Sequence, residues 1–219
     1  MSGFDEKGRI MFGLGKKKKA QKEIGALTDE ELKLIDTIIL VDHSGSMGTN
    51  SRRVAGADRL GEVQEDVYRA AEVAEKFDSD GLTVVAFSNE AKVFDGVGSL
   101  KVASVFKAFQ PDYSTNLTAA LDAAIEKARS TTKNVVVLVY TDGRPNSMPS
   151  AKAALDLAGK ELGRPKIGFT FIQVGDDPQA TEFLDHLDNN MAVDVCATVR
   201  ADVATNLTFP QLAWLAQNA

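Results

Sequence analysis

The chain has 219 residues, of which 44% are hydrophobic, so it is long enough to bury one sizeable core. Its formal net charge of -6 at pH 7 argues against a general affinity for nucleic acid. A single cysteine, Cys196, excludes an intrachain disulfide, and no stretch approaches the roughly 20 apolar residues that a membrane-spanning helix needs. The start of the chain lacks the apolar segment of a secretory signal peptide, so we expect a cytoplasmic protein.

Residues 1–25 are predicted to form a flexible basic tail. Residues 1–23 contain seven Lys or Arg against three Asp or Glu, a net charge of +4, which leaves -10 for the rest of the chain. We interpret the lysine run at 16–19 as a solvated segment, with contact to an acidic surface as the alternative. Residues 26–219 are predicted to form a single domain that ends in a C-terminal helix.

The elements predicted along the domain alternate between strands and helices. Thr28 and Glu31 form a capping-box pattern that predicts a short helix. The apolar run from Thr37 to Val41 is typical of a strand buried on both faces. Apolar spacing predicts further strands over 81–87, 91–94, 134–140, 167–174 and 193–198. It predicts longer helices over 59–77, 100–109, 117–130, 149–162, 179–187 and 209–217.

This alternation predicts an α/β fold with a doubly wound, mostly parallel central sheet and helices on both faces. The short Ser88-Asn89 connection favours an antiparallel hairpin, so one edge strand should run antiparallel. In open sheets of this kind, ligands bind beyond the carboxyl ends of the strands, near the point where the strand order switches. A functional site is therefore expected at that edge.

Oxygen-bearing side chains lie in three loops at this predicted edge. Asp42, Ser44 and Ser46 occupy alternate positions after the first strand, Thr115 precedes a helix, and Asp142 follows the strand over 134–140. Carboxylate and hydroxyl oxygens are hard ligands, which suit Mg²⁺ or Mn²⁺ and are poor ligands for zinc or copper. The sequence therefore predicts that a divalent-cation site is assembled from distant parts of the chain.

The pattern Asp42-x-Ser44-x-Ser46, followed by Thr115 and by Thr141-Asp142-Gly143, resembles the metal-ion-dependent adhesion site (MIDAS) of von Willebrand factor type A (vWA) domains. The resemblance covers about residues 33–200 and implies a Rossmann-like vWA fold.

The resemblance also implies a role for each residue of the motif. Ser44 and Ser46 would bind the ion directly, and Asp42 and Asp142 would act mainly through water or hydrogen bonds. Thr115 would bind directly when a ligand is engaged and through water otherwise. The implied ion is Mg²⁺, with Mn²⁺ or Ca²⁺ as alternatives. The family usually has small residues before this threonine, whereas Tyr113 and Ser114 stand there in this chain.

The function implied by the resemblance is metal-dependent binding of a protein partner that supplies an Asp or Glu carboxylate, without catalysis. The chain resembles compact intracellular bacterial members of the family, including those of tellurium-resistance clusters. This resemblance implies an adaptor protein that acts in stress response or works together with an AAA-type ATPase. The alternatives are a metal-assisted phosphotransferase or hydrolase, and a structural vWA scaffold with an incidental metal.

Catalytic patterns are poorly matched in this sequence. A phosphotransferase of the haloacid dehalogenase type needs a second acid two residues after the first, where Ser44 stands. The sequence around Ser46 does not fit the Gly-x-Ser-x-Gly elbow of hydrolases, and no P-loop is present. We expect His43 to have a structural role. Arg52 and Arg53 are expected to lie in a solvated loop, with docking of a partner's acidic group as the alternative. Residues 144–147 follow Asp142 closely enough to be candidates for shaping the specificity of the site.

Overall fold

The computed structural model describes residues 24–109 and 112–218. All but the last two residues of the predicted basic tail, residues 1–25, lie outside this part of the chain. The strands are β1 (Ile35–Asp42), β2 (Leu82–Phe87), β3 (Ala91–Val97), β4 (Asn134–Thr141), β5 (Ile167–Gln173) and β6 (Cys196–Arg200). The helices are α1 (Asp29–Leu32), α2 (Arg59–Ala74), α3 (Val102–Ala108), α4 (Leu117–Ser130), α5 (Met148–Glu161), α6 (Pro178–Asn190), α7 (Ala201–Ala204) and α8 (Phe209–Asn218).

The six strands form one sheet in the order β3-β2-β1-β4-β5-β6. Neighbouring strands are parallel except β2 and β3, which form the antiparallel hairpin at one edge. The predicted fold class is therefore confirmed. The chain leaves β1 towards β2 and leaves β4 towards β5, so the strand order switches between β1 and β4. The carboxyl ends of these two strands lie side by side, where a ligand site is expected.

Helices cover both faces of the sheet and bury two separate cores. Helices α2, α3, α7 and α8 pack with one set of alternating strand residues, which includes Ile39 and Leu138. Helices α4, α5 and α6 pack on the opposite face with the other set, which includes Leu40 and Val139. Because both faces of β1 and β4 are covered, these strands are apolar along almost their whole length.

Side chains cap the helices that begin at the carboxyl edge of the sheet. Asp58 accepts a hydrogen bond from the Gly61 amide at the start of α2, and Asn116 accepts one from Ala119 at the start of α4. Ser147 and Asp177 cap α5 and α6 in the same way. These caps fix where each loop at the carboxyl edge ends, and therefore where its polar residues lie.

Two strand boundaries and one short helix illustrate where the structure differs from the prediction. β3 extends to Val97 rather than ending at residue 94, because Val97 pairs with Leu82 beyond a register shift and is buried. β6 begins at Cys196 rather than at residue 193. The sequence analysis missed the four-residue helix α7, which is too short to show a helical period.

The C-terminal helix α8 lies directly on the sheet at Gly168 of β5. A Cβ atom at this position would be 1.8 Å from the backbone oxygen of Ala216, so only glycine allows the approach. The Thr170 hydroxyl donates a hydrogen bond to the backbone oxygen of Leu212, 3.1 Å away. No helix in the described ranges is both long and apolar enough to cross a membrane.

Candidate metal centre

Asp42 is the last residue of β1, and its fully buried carboxylate ties the ends of two strands together. One oxygen, Oδ1, accepts a hydrogen bond of 2.8 Å from the backbone amide of Ser44. The other, Oδ2, accepts one of 2.7 Å from the hydroxyl of Thr141, which ends β4. The carboxylate is therefore fixed at the strand switch, and its hydrogen bond to the Ser44 amide shapes the turn that follows β1.

That turn is a short 3-10 helix, Gly45–Gly48, which directs Ser46 back towards the carboxyl end of β4. The Ser44 and Ser46 hydroxyl oxygens lie 3.1 Å apart. The Ser46 hydroxyl donates a hydrogen bond of 2.8 Å to Oδ1 of Asp142, the residue that follows β4. Four of the five residues predicted to hold a cation thus lie in one cluster: Asp42, Ser44, Ser46 and Asp142.

The fifth predicted residue, Thr115, is buried at the same edge of the sheet. Its backbone amide donates a hydrogen bond to the Asn146 side-chain oxygen, and its backbone oxygen accepts one from the Asn146 amide, both at 3.0 Å. The loop that contains Thr115 also contacts the first turn, because the Gly45 amide donates to the backbone oxygen of Asp112, 2.8 Å away. Asn146 lies in the segment 144–147 that the sequence placed beside the site, and it is what positions Thr115.

An arginine that the sequence analysis missed completes the centre. Arg59 is the first residue of α2, and its guanidinium lies 2.5 Å from Oδ2 of Asp142. A cation is disfavoured at a helix N-terminus, because the helix dipole is positive there. This unfavourable position indicates that Arg59 needs an acidic partner, but the sequence does not identify Asp142 as that partner.

The two arginines predicted to lie in a solvated loop have different surroundings. Arg52 is exposed and pairs with Asp176 in the loop after β5. For Arg53 the prediction was wrong. Its side chain is largely buried, with Nε 3.0 Å from Glu62 and a terminal nitrogen 2.9 Å from Asp66. These carboxylates lie on α2, so Arg53 holds the loop over residues 49–58 against that helix.

His43 points into the core rather than into the candidate centre. Its ring centroid lies 5.5 Å from that of Phe106 and 5.2 Å from that of Phe109. Burial lowers the pKa of His43 to about 4, although a hydrogen bond with the Phe109 backbone opposes the shift. The imidazole is therefore neutral near pH 7.

Burial has the opposite effect on the neighbouring Asp42 and raises its pKa to about 6. The hydrogen bonds from Thr141 and Ser44 oppose this shift, and the nearby charge of Asp142 adds to it. Relative to the unfolded chain, Asp42 stabilises the fold below about pH 4, and this contribution is lost as the pH rises through 6. His43 contributes stability above about pH 6.5, which is lost as the pH falls through 4.

Because the contributions of Asp42 and His43 oppose each other, they should nearly cancel in the pH dependence of the unfolding free energy. Replacing Asp42 should remove this cancellation. With a chelator present, the unfolding free energy of the wild type should change little between pH 4 and 6.5 as far as these two groups are concerned. In Asp42→Asn only the His43 contribution remains, so the unfolding free energy should rise by roughly 2–3 kcal/mol over this range. Urea denaturation at several pH values measures this. Equal pH slopes for the two proteins would contradict the prediction.

The donor set fits a hard divalent cation. It comprises the carboxylates of Asp42 and Asp142 and the hydroxyls of Ser44, Ser46 and Thr115, all oxygen donors. The part of the chain that the structure describes contains no group of three or more His, Cys, Asp or Glu able to hold a metal. A centre built largely from hydroxyls is not such a group, and its chemistry favours Mg²⁺ or Mn²⁺ over zinc.

Comparison with known proteins supports the predicted fold. Residues 37–144 match the family model of the von Willebrand factor type A domain. No curated protein sequence matches the chain. A mutant of the PilB minor pilin from Streptococcus sanguinis is similar in structure, with a TM-score of 0.58 and 13% identity. The match covers 84% of this chain and 63% of the pilin chain, so this chain spans less than two thirds of the pilin's length.

Two other solved structures share the fold. The manganese-loaded TRAP protein of Plasmodium vivax has a TM-score of 0.54 and 19% identity, and the match covers 79% of this chain and 71% of that one. The ArnB paralog VWA2 of Sulfolobus acidocaldarius has a TM-score of 0.50 and 16% identity, with coverages of 84% and 45%. At these identities the similarities establish the fold alone.

Proposed function

We propose that this chain, whose residues 37–144 match the family model of the von Willebrand factor type A domain, binds a protein partner through a divalent cation. The observation that carries the proposal is the hydrogen-bonded series from the Ser44 hydroxyl through Ser46 to Asp142. It brings oxygen donors from the ends of β1 and β4 together at the strand switch. Domains of this family often mediate protein-protein interactions, and many of them have a metal site.

The residues that would hold the ion are Asp42, Ser44, Ser46, Thr115 and Asp142, and Mg²⁺ is the proposed ion, with Mn²⁺ or Ca²⁺ as substitutes. The TRAP protein, which shares the fold, was solved loaded with manganese, and this supports the proposal of a divalent cation. When bound, the ion would supply positive charge to attract a carboxylate. If the side chains that contact the ion directly are the neutral serine hydroxyls, the ion keeps much of its positive charge, which favours an Asp or Glu of the partner.

Tyr113 is well placed to contact the partner protein next to the Asp or Glu that would bind the ion. It is 100% exposed, and its ring lies over Gly45, where a Cβ atom would be 3.5 Å from the nearest ring carbon. Its backbone amide donates a hydrogen bond of 2.7 Å to the Asp112 carboxylate, which fixes the loop. An exposed aromatic ring held at the rim of the centre offers apolar contact area at low entropic cost.

We propose a binding module rather than an enzyme. Among the described residues no imidazole is paired with a hydroxyl of the centre, because the His43 ring packs against Phe106 and Phe109. The narrower assignment to a bacterial adaptor of stress response, tellurium resistance or an AAA-type ATPase rests on the sequence resemblance alone. Pilus proteins are among the structural neighbours, so the cytoplasmic location stays a prediction.

Metal-dependent capture of partners tests the proposal. The wild type with Mg²⁺ should retain proteins from a lysate that are lost both in EDTA and with Ser44→Ala. Ser44 makes no side-chain cap to the 3-10 helix, so its replacement should leave the fold intact. Ser104→Ala is the matched control, because the Ser104 hydroxyl bonds only locally, to the Lys101 backbone oxygen. Capture that is unchanged in EDTA would contradict the proposed function.

A further inference from the structure

Arg59 places a permanent positive charge inside the candidate metal centre. Its guanidinium pairs with Oδ2 of Asp142, whose side chain is fully buried, and 17% of the Arg59 side chain is exposed. The other carboxylate oxygen, Oδ1, accepts the hydrogen bond from Ser46. Asp142 is therefore shared between Arg59 on one side and the Ser46 hydroxyl on the other. A cation held by those hydroxyls would share the same carboxylate with Arg59.

The fold provides a specific space for this guanidinium. Gly175, in the loop after β5, has a φ of +74°, a conformation that favours glycine. A Cβ atom there would lie 2.7 Å from Cζ of Arg59 and 2.8 Å from one of its terminal nitrogens. The guanidinium thus fits directly against the Gly175 backbone, and a larger residue at position 175 would displace it from Asp142.

The charges at the centre determine what Arg59 does to cation binding. Asp42 and Asp142 are the two acidic groups, and Arg59 neutralises one of them through a short-range pair. The positive charge of Arg59 lies beside the carboxylate that a divalent ion would also approach. Because this region is partly buried, solvent screens the repulsion between the two cations only weakly, and Arg59 opposes binding of the ion. Without any divalent ion, the same arginine prevents Asp142 from being a buried, unpaired charge.

We propose that Arg59 is a resident counter-cation of this centre, which holds Asp142 in place when no divalent ion is bound and lowers the affinity of the centre for one. This inference rests on the proposed metal site and adds a residue that sets its affinity. Arg59 is a positioning residue: it acts through Asp142 and is not itself a ligand of the ion.

Calorimetric titration with Mn²⁺ and thermal unfolding in EDTA test the inference. Arg59→Gln should bind Mn²⁺ about tenfold more tightly than the wild type, because the competing charge is gone. In EDTA the same variant should melt at a lower temperature than the wild type, and saturating Mn²⁺ should reduce this difference in melting temperature. Arg59→Lys, which keeps the charge, should have an Mn²⁺ affinity close to that of the wild type. Arg52→Gln is the matched control: it removes the same charge from an exposed pair with Asp176 and should change neither quantity.

Two outcomes would overturn the inference, and they differ in what they imply for the proposed function. Equal or weaker Mn²⁺ binding by Arg59→Gln, with binding abolished in Ser46→Ala, would leave the metal site standing and remove the role of Arg59. If the wild type and Arg59→Gln both fail to bind Mn²⁺, the metal site itself is wrong and the inference falls with it. Binding by Arg59→Gln alone would support the inference in its strongest form.

Discussion

Replacing Gly168 with alanine is expected to destabilise the fold by about 3 kcal/mol, because the new methyl group would overlap the backbone of α8. A Cβ atom at this position would lie 1.8 Å from the Ala216 carbonyl oxygen and 2.6 Å from its carbon. Backbone atoms of a packed helix cannot move aside as the end of a flexible side chain can. The helix would have to shift away from β5, and its buried side chains, among them Leu212 and Leu215, would lose contacts with the sheet.

Chemical denaturation of Gly168→Ala and the wild type measures this effect. Gly48→Ala is the control, because a Cβ atom at Gly48 would have no neighbour within 4 Å and the φ of Gly48 is not in the left-handed region. The control should stay within about 1 kcal/mol of the wild type. Equal stability of Gly168→Ala and Gly48→Ala would show that α8 does not pack on β5 in the way described.

The sequence predicts the sheet well because buried parallel strands have an unmistakable composition. The apolar runs of β1 and β4 can be placed only in the middle of a sheet covered on both faces, and the acid that follows each run must then lie at the carboxyl edge. This is why Asp42, Ser46 and Asp142 could be grouped before their contacts were known. Hydrophobic pattern and loop chemistry agree for these residues.

Contacts between distant residues without a repeating pattern could not be predicted. The Arg59 pair with Asp142 spans 83 positions, and the need for glycine at position 168 arises only once α8 lies across β5. Arg53 was misjudged for a related reason. A charged residue in a loop is usually solvated, but Glu62 and Asp66 on α2 supply two carboxylates to which this arginine binds in a partly buried position. Such exceptions depend on tertiary structure, which local sequence does not encode.

A divalent cation is expected to raise the melting temperature of the wild type markedly, because an ion that binds only the folded state stabilises it by mass action. At a free Mg²⁺ concentration of about 100 times the dissociation constant, the stabilisation is about 2.7 kcal/mol, provided the unfolded chain does not bind the ion. For a chain of this size that corresponds to a shift of roughly 5–10 °C. Thermal unfolding monitored by circular dichroism, in millimolar Mg²⁺ and in EDTA, measures it.

The double variant Ser44→Ala, Ser46→Ala should melt near the wild type in EDTA and should not respond to Mg²⁺. The two hydroxyls bond to each other, and only Ser46 bonds to Asp142. In the variant Asp142 keeps its pair with Arg59, so the loss of the hydroxyls leaves no buried charge unpaired. Ser104→Ala should keep the full shift. Equal melting temperatures of the wild type in Mg²⁺, Mn²⁺ and EDTA would contradict the proposed centre. A shift that persists in the double variant would instead show that the ion does not depend on the two serine hydroxyls, which would contradict their proposed role.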